Sequence, residues 1–273
     1  MVERIWGAAE QLCGKRLAPA LGVWLPLVGE VWDEHRVGFL EADSVAHCGR
    51  SLAGSLIWSL VYTDLASTWT EGRAVWNKGA HGVLEQTRDV EGAVPFRILG
   101  FDFDNGGEWL NWALIRYLQA RSRPYHKDDN AQVEQQNWMW PRQLLGCERL
   151  EDATALPALN ALDKEAWGPL QNFFLPSMKP QAKWREGSRW VRRHDRAQTA
   201  YQRLVASGQL EERQRRRLAD WQESLDAFVL GAEVERRLRP ILLPARQKPG
   251  RGRRGGGWAE RYARQSGGWS TML

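Results

Sequence analysis

The chain has 273 residues, of which 43% are hydrophobic and 10% aromatic, so it holds enough apolar material for a globular core and is not a disordered protein. Three widely spaced cysteines exclude a disulfide framework, and the longest apolar stretches are too short to cross a bilayer. The charge is uneven, since residues 181–273 hold 21 Lys and Arg against 10 Asp and Glu, whereas residues 1–180 hold 17 against 23. This basic last third predicts a polyanionic partner, with nucleic acid as the first candidate.

The first part of the chain predicts a connector followed by a meander of three strands. Residues 1–35 have weak periodicity and no clear helix caps, which is typical of a connecting segment. The next segments are short runs rich in apolar, β-branched and aromatic residues, separated by polar or glycine turns. The three predicted strands lie within residues 37–49, 51–65 and 67–76.

Helices and one more strand are predicted to alternate after the meander. The pattern indicates a helix over residues 77–90, a fourth strand over 94–103, and a second helix over 108–119. A further helix is expected over residues 130–145, with a kink at Pro141, which lacks a backbone donor. Three strands followed by this alternation predict an α/β protein, a mixed sheet with helices on both faces.

The last third is predicted to be basic and mainly helical. Residues 170–200 interleave aromatic side chains with Lys and Arg, and residues 199–238 read as a pair of charged amphipathic helices broken near Asp226. From Pro240 the composition turns to Pro, Gly and Arg, as in disordered cationic tails. The chain is therefore divided into a connector (1–35), a core (36–165), a basic C-terminal region (166–240) and an Arg/Gly-rich tail (241–273).

Three carboxylates are the candidates for chemistry. Asp43 lies in an apolar strand, Asp104 follows the fourth strand at a sharp Asn-Gly-Gly turn, and Glu134 lies one turn into a helix. If they converge, they can hold two divalent metal ions against a phosphate. Simpler interpretations stay open for each: an edge-strand Asp43 facing water, an ordinary turn at Asp104, and a solvated helical Glu134.

A possible zinc pair near Asp43 is rejected. His47 and Cys48 follow Asp43 closely, but no further ligands accompany them at zinc spacing. They are interpreted as residues at the end of a strand.

Three ordered blocks of sequence resemble a known catalytic core. FLEADSVAHCG, GFDFDNGG and SRPYHKDDNAQVEQQNW together resemble insertion-sequence transposases of the retroviral-integrase type, which use an Asp, Asp, Glu triad. LQNFFLPSMK and the later YQRL are similar to the C-terminal part of one bacterial group, ISNCY. The resemblance covers about residues 31–238. It implies a ribonuclease-H-like fold with Asp43 on the first strand, Asp104 after the fourth, and Glu134 on a following helix.

The resemblance also implies an activity and its partners. The implied reaction is metal-dependent DNA cleavage and strand transfer in transposition, with Asp43, Asp104 and Glu134 holding two Mg²⁺ ions, or Mn²⁺ in their place. The implied partners are double-stranded DNA, both element ends and target, and further copies of the chain, with no membrane, in the bacterial cytoplasm at the nucleoid. The residues expected to contact DNA are basic or aromatic: Arg123, Tyr125, His126, Lys127, Arg142, Lys183, Arg192 and Arg193.

Two departures from the family pattern lead to alternative hypotheses. No helix-turn-helix pattern precedes the core, so an N-terminal DNA-binding domain is expected to be missing. Only 29 residues separate Asp104 from Glu134, fewer than is usual in the family, and a short fifth strand near residues 119–124 is expected to be absent. One alternative is an inactive remnant that binds DNA non-specifically, and another is a ribonuclease-H-type nuclease acting on hybrids.

Overall fold

The computed structural model describes residues 35–103, 123–125, 141, 143–146, 148–186 and 189–246. Within these ranges the chain is an α/β protein, with a five-stranded mixed sheet flanked by helices and a separate two-stranded sheet. The predicted α/β class with a mixed sheet is confirmed. In the same ranges no helix is long and apolar enough to cross a membrane.

Three antiparallel strands form one half of the large sheet, as the runs of apolar, β-branched and aromatic residues predict. They are β1 (Phe39–Ala46), β2 (Ile57–Asp64) and β3 (Thr70–Trp76). The register places Asp43 opposite Val61 and Leu60 opposite Arg73. Because side chains alternate between the two faces of a strand, this register decides which residues share a face.

Two parallel strands form the other half. They are β4 (Gly100–Phe103) and β5 (Arg123–Tyr125), and the order across the sheet is β3-β2-β1-β4-β5. β4 runs parallel to β1, and β5 runs parallel to β4, with Pro124 opposite Phe101. The expectation that a fifth strand is absent is therefore wrong. β5 was not predicted because Pro124 is typical of a loop, although a proline is tolerated in an edge strand.

β4 is shorter than the ten residues predicted for it, and the reason lies in the approach to the sheet. The backbone N–H groups of Leu99 and Gly100 both donate to the carbonyl of Gly38, at 2.7 and 3.3 Å. Gly38 has a φ of +108°, and a Cβ there would come within 2.4 Å of the carbonyl oxygen of Arg97. The chain therefore crosses over a glycine before it joins the ladder, and only a residue without a side chain fits.

The helices follow the predicted order where the structure describes them. The helix predicted over 77–90 is observed as α1 (Ala80–Ala93). The predicted helix over 108–119 and most of that over 130–145 lie outside the described residues. The remaining helices are α2 (Gln143–Leu145), α3 (Leu156–Leu162), α4 (Gly168–Phe174), α5 (Ala200–Ala206), α6 (Glu212–Glu223) and α7 (Ala227–Arg246), with a π-helical turn, Asp163–Trp167, joining α3 to α4.

The helices cover both faces of the sheet. On one face, Val83 and Val90 of α1 pack in a cluster that includes Leu60 of β2. On the other face, Ile57 and Val61 of β2 pack in a cluster with residues of α2, α3, α4 and α7. The burial of apolar side chains on both faces of the central strands favours this fold.

Two asparagine side chains close the exposed edge of β3. Asn160 of α3 accepts from the backbone N–H of Ala74 at 2.7 Å and donates to its carbonyl at 3.2 Å. Asn172 of α4 does the same at Thr70, with distances of 2.9 and 2.8 Å. The side-chain amides thus satisfy backbone groups that would otherwise invite pairing with another strand.

The C-terminal region differs from its prediction in three ways. The predicted helix pair is three helices, although the predicted break near Asp226 is confirmed: it lies between α6 and α7, and the Asp226 carboxylate accepts from Phe228 and Val229. α7 runs to Arg246, into the predicted tail, and buries Ile241 and Leu242 there. The free energy gained by burying these two side chains offsets the loss of the backbone hydrogen bonds that Pro240 and Pro244 cannot donate.

The third difference is an unpredicted hairpin within residues 170–200. Its antiparallel strands are β6 (Pro180–Glu186) and β7 (Arg189–His194). A signal for it was available, because the dipeptide Gly187-Ser188 separates two runs with tryptophan and valine, as in two-residue hairpin turns.

Candidate active site

Asp43 lies on an inner strand, and this removes one of the simpler interpretations of it. β1 is hydrogen-bonded to β2 on one side and to β4 on the other, so Asp43 does not belong to an edge strand. Its side chain is half-buried, and Oδ1 accepts from the backbone N–H of Ser44 at 2.6 Å. This short bond restricts the orientation of the carboxylate.

The parallel pairing of β1 and β4 sets the geometry around Asp43. Glu41 is opposite Asp102, and Ala42 is opposite Phe103, the last residue of β4. Ala42 and Phe103 are the final register pair. In the sequence, Asp43 directly follows Ala42, and Asp104 directly follows Phe103.

Sequence reasoning missed two more acidic residues on the same face of the sheet. Glu41 and Asp102 share a register pair, and only 3% and 4% of their surfaces are exposed. Each precedes a predicted catalytic aspartate by two residues, the spacing that places side chains on one face of a strand. The period-two pattern in FLEAD and FDFD was the signal that could have found them.

Several predicted site residues lie outside the described residues. They include Asp104 and Glu134, the other two members of the triad, together with His126, Lys127 and Arg142. Among the residues that the structure does describe, no group of three His, Cys, Asp or Glu side chains is placed to hold a metal ion. The predicted two-metal site therefore stays a prediction.

The segment after α2 is hydrogen-bonded to the chain at the C-terminal end of β1 and the start of β2. The backbone N–H of Ile57 donates to the carbonyl of Leu150 at 2.8 Å, and the N–H of Leu150 donates to the carbonyl of His47 at 3.0 Å. Arg149 donates to the carbonyl oxygens of Ser51 and Ala53, at 2.5 and 2.6 Å. The segment that follows the helix predicted over residues 130–145 is thereby held against β1 and β2.

α2 itself packs on the face that carries the acidic residues. Leu144 and Leu145 are buried in one cluster with Ile57 and Val61. Val61 is directly opposite Asp43 in the register, so both lie on this face. The helix segment and the carboxylates consequently belong to the same side of the sheet.

His47 and Cys48 have local structural roles. The imidazole Nε2 of His47 is 2.8 Å from the hydroxyl oxygen of Ser59, and both residues are buried. Cys48 carries a free thiol and pairs with Arg149 in an isolated backbone bridge. These contacts agree with their interpretation as residues at the end of a strand.

The predicted DNA-contacting residues that are described fall on two separate elements. Arg123 and Tyr125 belong to β5, beside β4. Lys183 belongs to β6, whereas Arg192 and Arg193 belong to β7, and Arg193 is exposed. The first pair is near the candidate active site in the sheet order, and the second group lies on a different sheet.

The opposite face of the sheet also holds buried charges, but they form pairs. Arg73 is fully buried and donates to Glu71 at 3.0 Å and to Asp89 of α1 at 2.6 Å. Asp89 also accepts from Lys164 at 2.6 Å. Partial burial opposes ionisation of Asp89, but the hydrogen bonds from Lys164 and Arg73 hold its pKa below its usual range.

Asp64, at the end of β2, has a structural role as well. Its Oδ1 accepts from the backbone N–H of Gly38 at 2.7 Å, and its Oδ2 accepts from the backbone N–H and the hydroxyl of Ser67 at 2.7 and 2.6 Å. Burial raises the pKa of this carboxyl despite these bonds. Its contacts hold the turn between β2 and β3.

Comparison with known proteins gives a relative but no family. No family model matches the chain. The chain is 37% identical over 169 residues to the uncharacterized protein y4rM of Sinorhizobium fredii, a match that covers 60% of this chain and 48% of that protein. The chain therefore spans about half the length of this relative.

Proposed function

We propose that the protein is a metal-dependent polynucleotidyl transferase with a ribonuclease-H-like core, which cleaves DNA and joins its strands in transposition. One observation carries the proposal: the parallel register of β1 and β4 pairs Ala42 with Phe103. Asp43 and Asp104 each follow a member of this pair. Neighbouring strands are about 4.8 Å apart, so if the pairing continues by one residue, the carboxylates of Asp43 and Asp104 can reach one ion.

The order of the strands supports the same proposal. An antiparallel meander, β1 to β3, is followed by β4 and β5 added in parallel on the other side of β1. This arrangement agrees with the core that the sequence resemblance implies. In open α/β sheets, ligands bind beyond the carboxyl ends of the strands, which is where the chain leaves β4 at Phe103.

The chemistry of the acidic face suits divalent cations. Glu41, Asp43 and Asp102 lie on one face of two neighbouring strands, so this face is rich in carboxylate oxygens. Carboxylate oxygens are the ligands that Mg²⁺ prefers. When bound at Asp43, Asp104 and Glu134, two such ions would activate the attacking hydroxyl and stabilise the leaving oxygen.

The protein residues would contribute orientation. The N–H of Ser44 holds Oδ1 of Asp43, so this carboxylate meets a cation in one orientation. Arg123 and Tyr125, on β5 next to β4, are the residues proposed to contact the DNA backbone near the reacting phosphate. The backbone hydrogen bonds of Leu150 with Ile57 and His47 would limit movement of the helix proposed to carry Glu134.

A plasmid nicking and strand-joining assay tests this proposal. With Mg²⁺ or Mn²⁺ the unaltered chain should nick or join DNA, chelation should abolish the activity, and Asp43→Asn should lower it by at least about 100-fold, because loss of a supporting residue alone costs 10- to 100-fold at many metal sites. Glu223→Gln, which removes an exposed carboxylate from α6, is the matched control and should leave the activity unchanged. Equal activity of Asp43→Asn and the unaltered chain would disprove the assignment of Asp43.

A second candidate function is DNA binding without catalysis. It is favoured by the charge distribution, because residues 181–273 hold 21 Lys and Arg against 10 Asp and Glu. The same assay separates the two functions. Salt-dependent binding to DNA without metal-dependent nicking or joining, under any metal tested, would favour this second function.

A further inference from the structure

Large apolar side chains are exposed where α6 ends and α7 begins. Phe228 is 90% exposed, more than any other large apolar side chain among the described residues, and Val229 beside it is 66% exposed. Trp221, on the other side of the break, is 37% exposed, although its ring centroid lies 4.9 Å from that of Phe173. We call Trp221, Phe228 and Val229 the apolar corner. Adjacent exposed side chains of this kind are typical of a surface that another segment or molecule covers.

The local structure does not account for Phe228 and Val229. The start of α7 is stabilised by the Asp226 carboxylate, which accepts from the backbone N–H groups of these two residues at 2.7 and 3.0 Å. This cap uses only their backbone, so polar side chains would serve it equally well. The core contacts of this part of α7 are made by Leu230 and Val234, which are buried. The two exposed side chains therefore need a different explanation.

α6, which leads to the apolar corner, also carries arginines without an acidic partner. Arg213 and Arg217 are exposed and lie one turn apart on the helix. Neither forms an ion pair within the part of the chain that the structure describes, whereas Arg215 and Arg216 both pair with Glu212 at 2.7 Å. The surface of α6 therefore has positive charge that is not neutralised by the helix itself.

The described part of the chain begins beside the start of α6. Gln209, in the loop between α5 and α6, donates to the carbonyl of His35 at 2.9 Å and accepts from the backbone N–H of Val37 at 2.9 Å. Residue 34 is thus joined to a point next to α6. The 12 residues of α6 are about 18 Å long, whereas 15 residues of chain can span up to about 50 Å. Residues 20–34 are therefore long enough to reach the apolar corner.

The segment 20–34 complements this surface in charge and in hydrophobicity. It holds nine hydrophobic residues, three acidic residues and no Lys or Arg. Seven of the hydrophobic residues lie within 20–28, far from His35 in the sequence. The acidic residues are closer to it: Glu30, Asp33 and Glu34. The order along the segment therefore matches the order along the surface, with charge near the start of α6 and apolar side chains beyond its end.

We propose that residues 20–34 fold back along α6, with their acidic residues at Arg213 and Arg217 and their hydrophobic residues on the apolar corner. A segment of the same chain is present at a high effective concentration, so a contact of this modest size can be stable without a second molecule. The contact does not depend on the proposed function, because it uses neither the large sheet nor its carboxylates.

Hydrogen exchange measured by mass spectrometry on the full chain tests this contact. The backbone amides of residues 20–34 should exchange at least about tenfold more slowly than those of an unstructured peptide. The variant Phe228→Ser, Val229→Ser keeps the backbone cap of α7 and should raise their exchange rate at least about tenfold, because the apolar contact is lost. Leu52→Ser, which removes an exposed apolar side chain from the loop between β1 and β2, is the matched control and should leave the rate unchanged.

A charge exchange gives a second test that leaves the apolar corner intact. Arg213→Glu with Arg217→Glu should raise the exchange rate of the segment about threefold or more, because like charges then face each other. Glu30→Arg with Asp33→Arg should have the same effect. The chain with all four substitutions should return to the original rate, since opposite charges are paired again.

Three results would overturn the proposal. The first is exchange of residues 20–34 in the unaltered chain at the rate of an unstructured peptide. The second is protection that persists in the Phe228→Ser, Val229→Ser variant. The third is protection that disappears on dilution, which would show that a second copy covers the apolar corner. If the serine variant does not fold, as judged by circular dichroism, the charge exchange decides, and no restoration in the fourfold variant contradicts the contact.

Discussion

The two faces of the central sheet carry different sets of charged residues. Under α1, the buried Arg73 is matched by Glu71 and Asp89. On the opposite face, Glu41, Asp43 and Asp102 place charges of one sign at neighbouring positions of two strands. A buried pair of opposite charges contributes to a defined structure, whereas several acidic residues on one face supply the oxygen ligands that divalent cations prefer. We therefore propose that the second face is the functional one.

The largest expected effect comes from breaking the matched network. Arg73→Met should lower the free energy of unfolding by about 3–5 kcal/mol, because the carboxylate of Glu71 would stay buried without the guanidinium. Urea denaturation measures this change. Arg215→Gln, which removes an exposed arginine from α6, is the control and should leave the midpoint unchanged. A loss as small as that of the control would show that the network adds little.

The next effect contrasts one residue from each face. Leu60→Ala should lower the free energy of unfolding by about 2–5 kcal/mol, because its side chain is fully buried under α1 and its removal leaves a cavity. Asp43→Asn should change it by less than about 1 kcal/mol, since the amide oxygen can still accept from the backbone N–H of Ser44. Thermal unfolding of both variants without metal tests the contrast. A strong destabilisation by Asp43→Asn would show that Asp43 is structural.

The smallest effect is a pH dependence. Because the pKa of Asp89 is depressed in the folded protein, its contribution is fully present above the ordinary value of 3.8 and is lost as the pH falls through the folded value. Asp89→Asn keeps an oxygen for Arg73 Nε, so it should cost less than about 1 kcal/mol at neutral pH, where water screens the partly exposed carboxylate of Asp89. The difference from the unaltered chain should close in acid. Urea titrations between neutral pH and acid measure this difference. A difference that stays constant or widens in acid would contradict this assignment.

Much of the large sheet could be predicted from local sequence. β1, β2 and β3 were predicted because they are short runs of apolar, β-branched and aromatic residues bounded by turns, and α1 was predicted from its helical pattern. β5 was missed because Pro124 is a loop signal unless one knows that the strand lies at an edge. The hairpin was missed because its alternation mixes tryptophan with arginine instead of apolar with polar residues.

The candidate site was predictable only in part. The sequence singled out Asp43 because an acidic residue within an apolar strand is costly. It did not single out Glu41 and Asp102, because their proximity depends on the pairing of strands that are about 60 residues apart in the chain. The closure of β3 by Asn160 and Asn172 was unpredictable for the same reason.

By itself, the sequence determined the local elements, the excess of basic residues in the last third, and the acidic residues within the strands that suggested chemistry with phosphate. These follow from periodicity, composition and the cost of burying charge, which are properties of short segments. Only the tertiary structure decided that β1 lies between β2 and β4, that the acidic residues share one face while Arg73 is matched on the other, and that α7 extends to Arg246. Those outcomes depend on register and on packing between distant segments, and no local pattern encodes either.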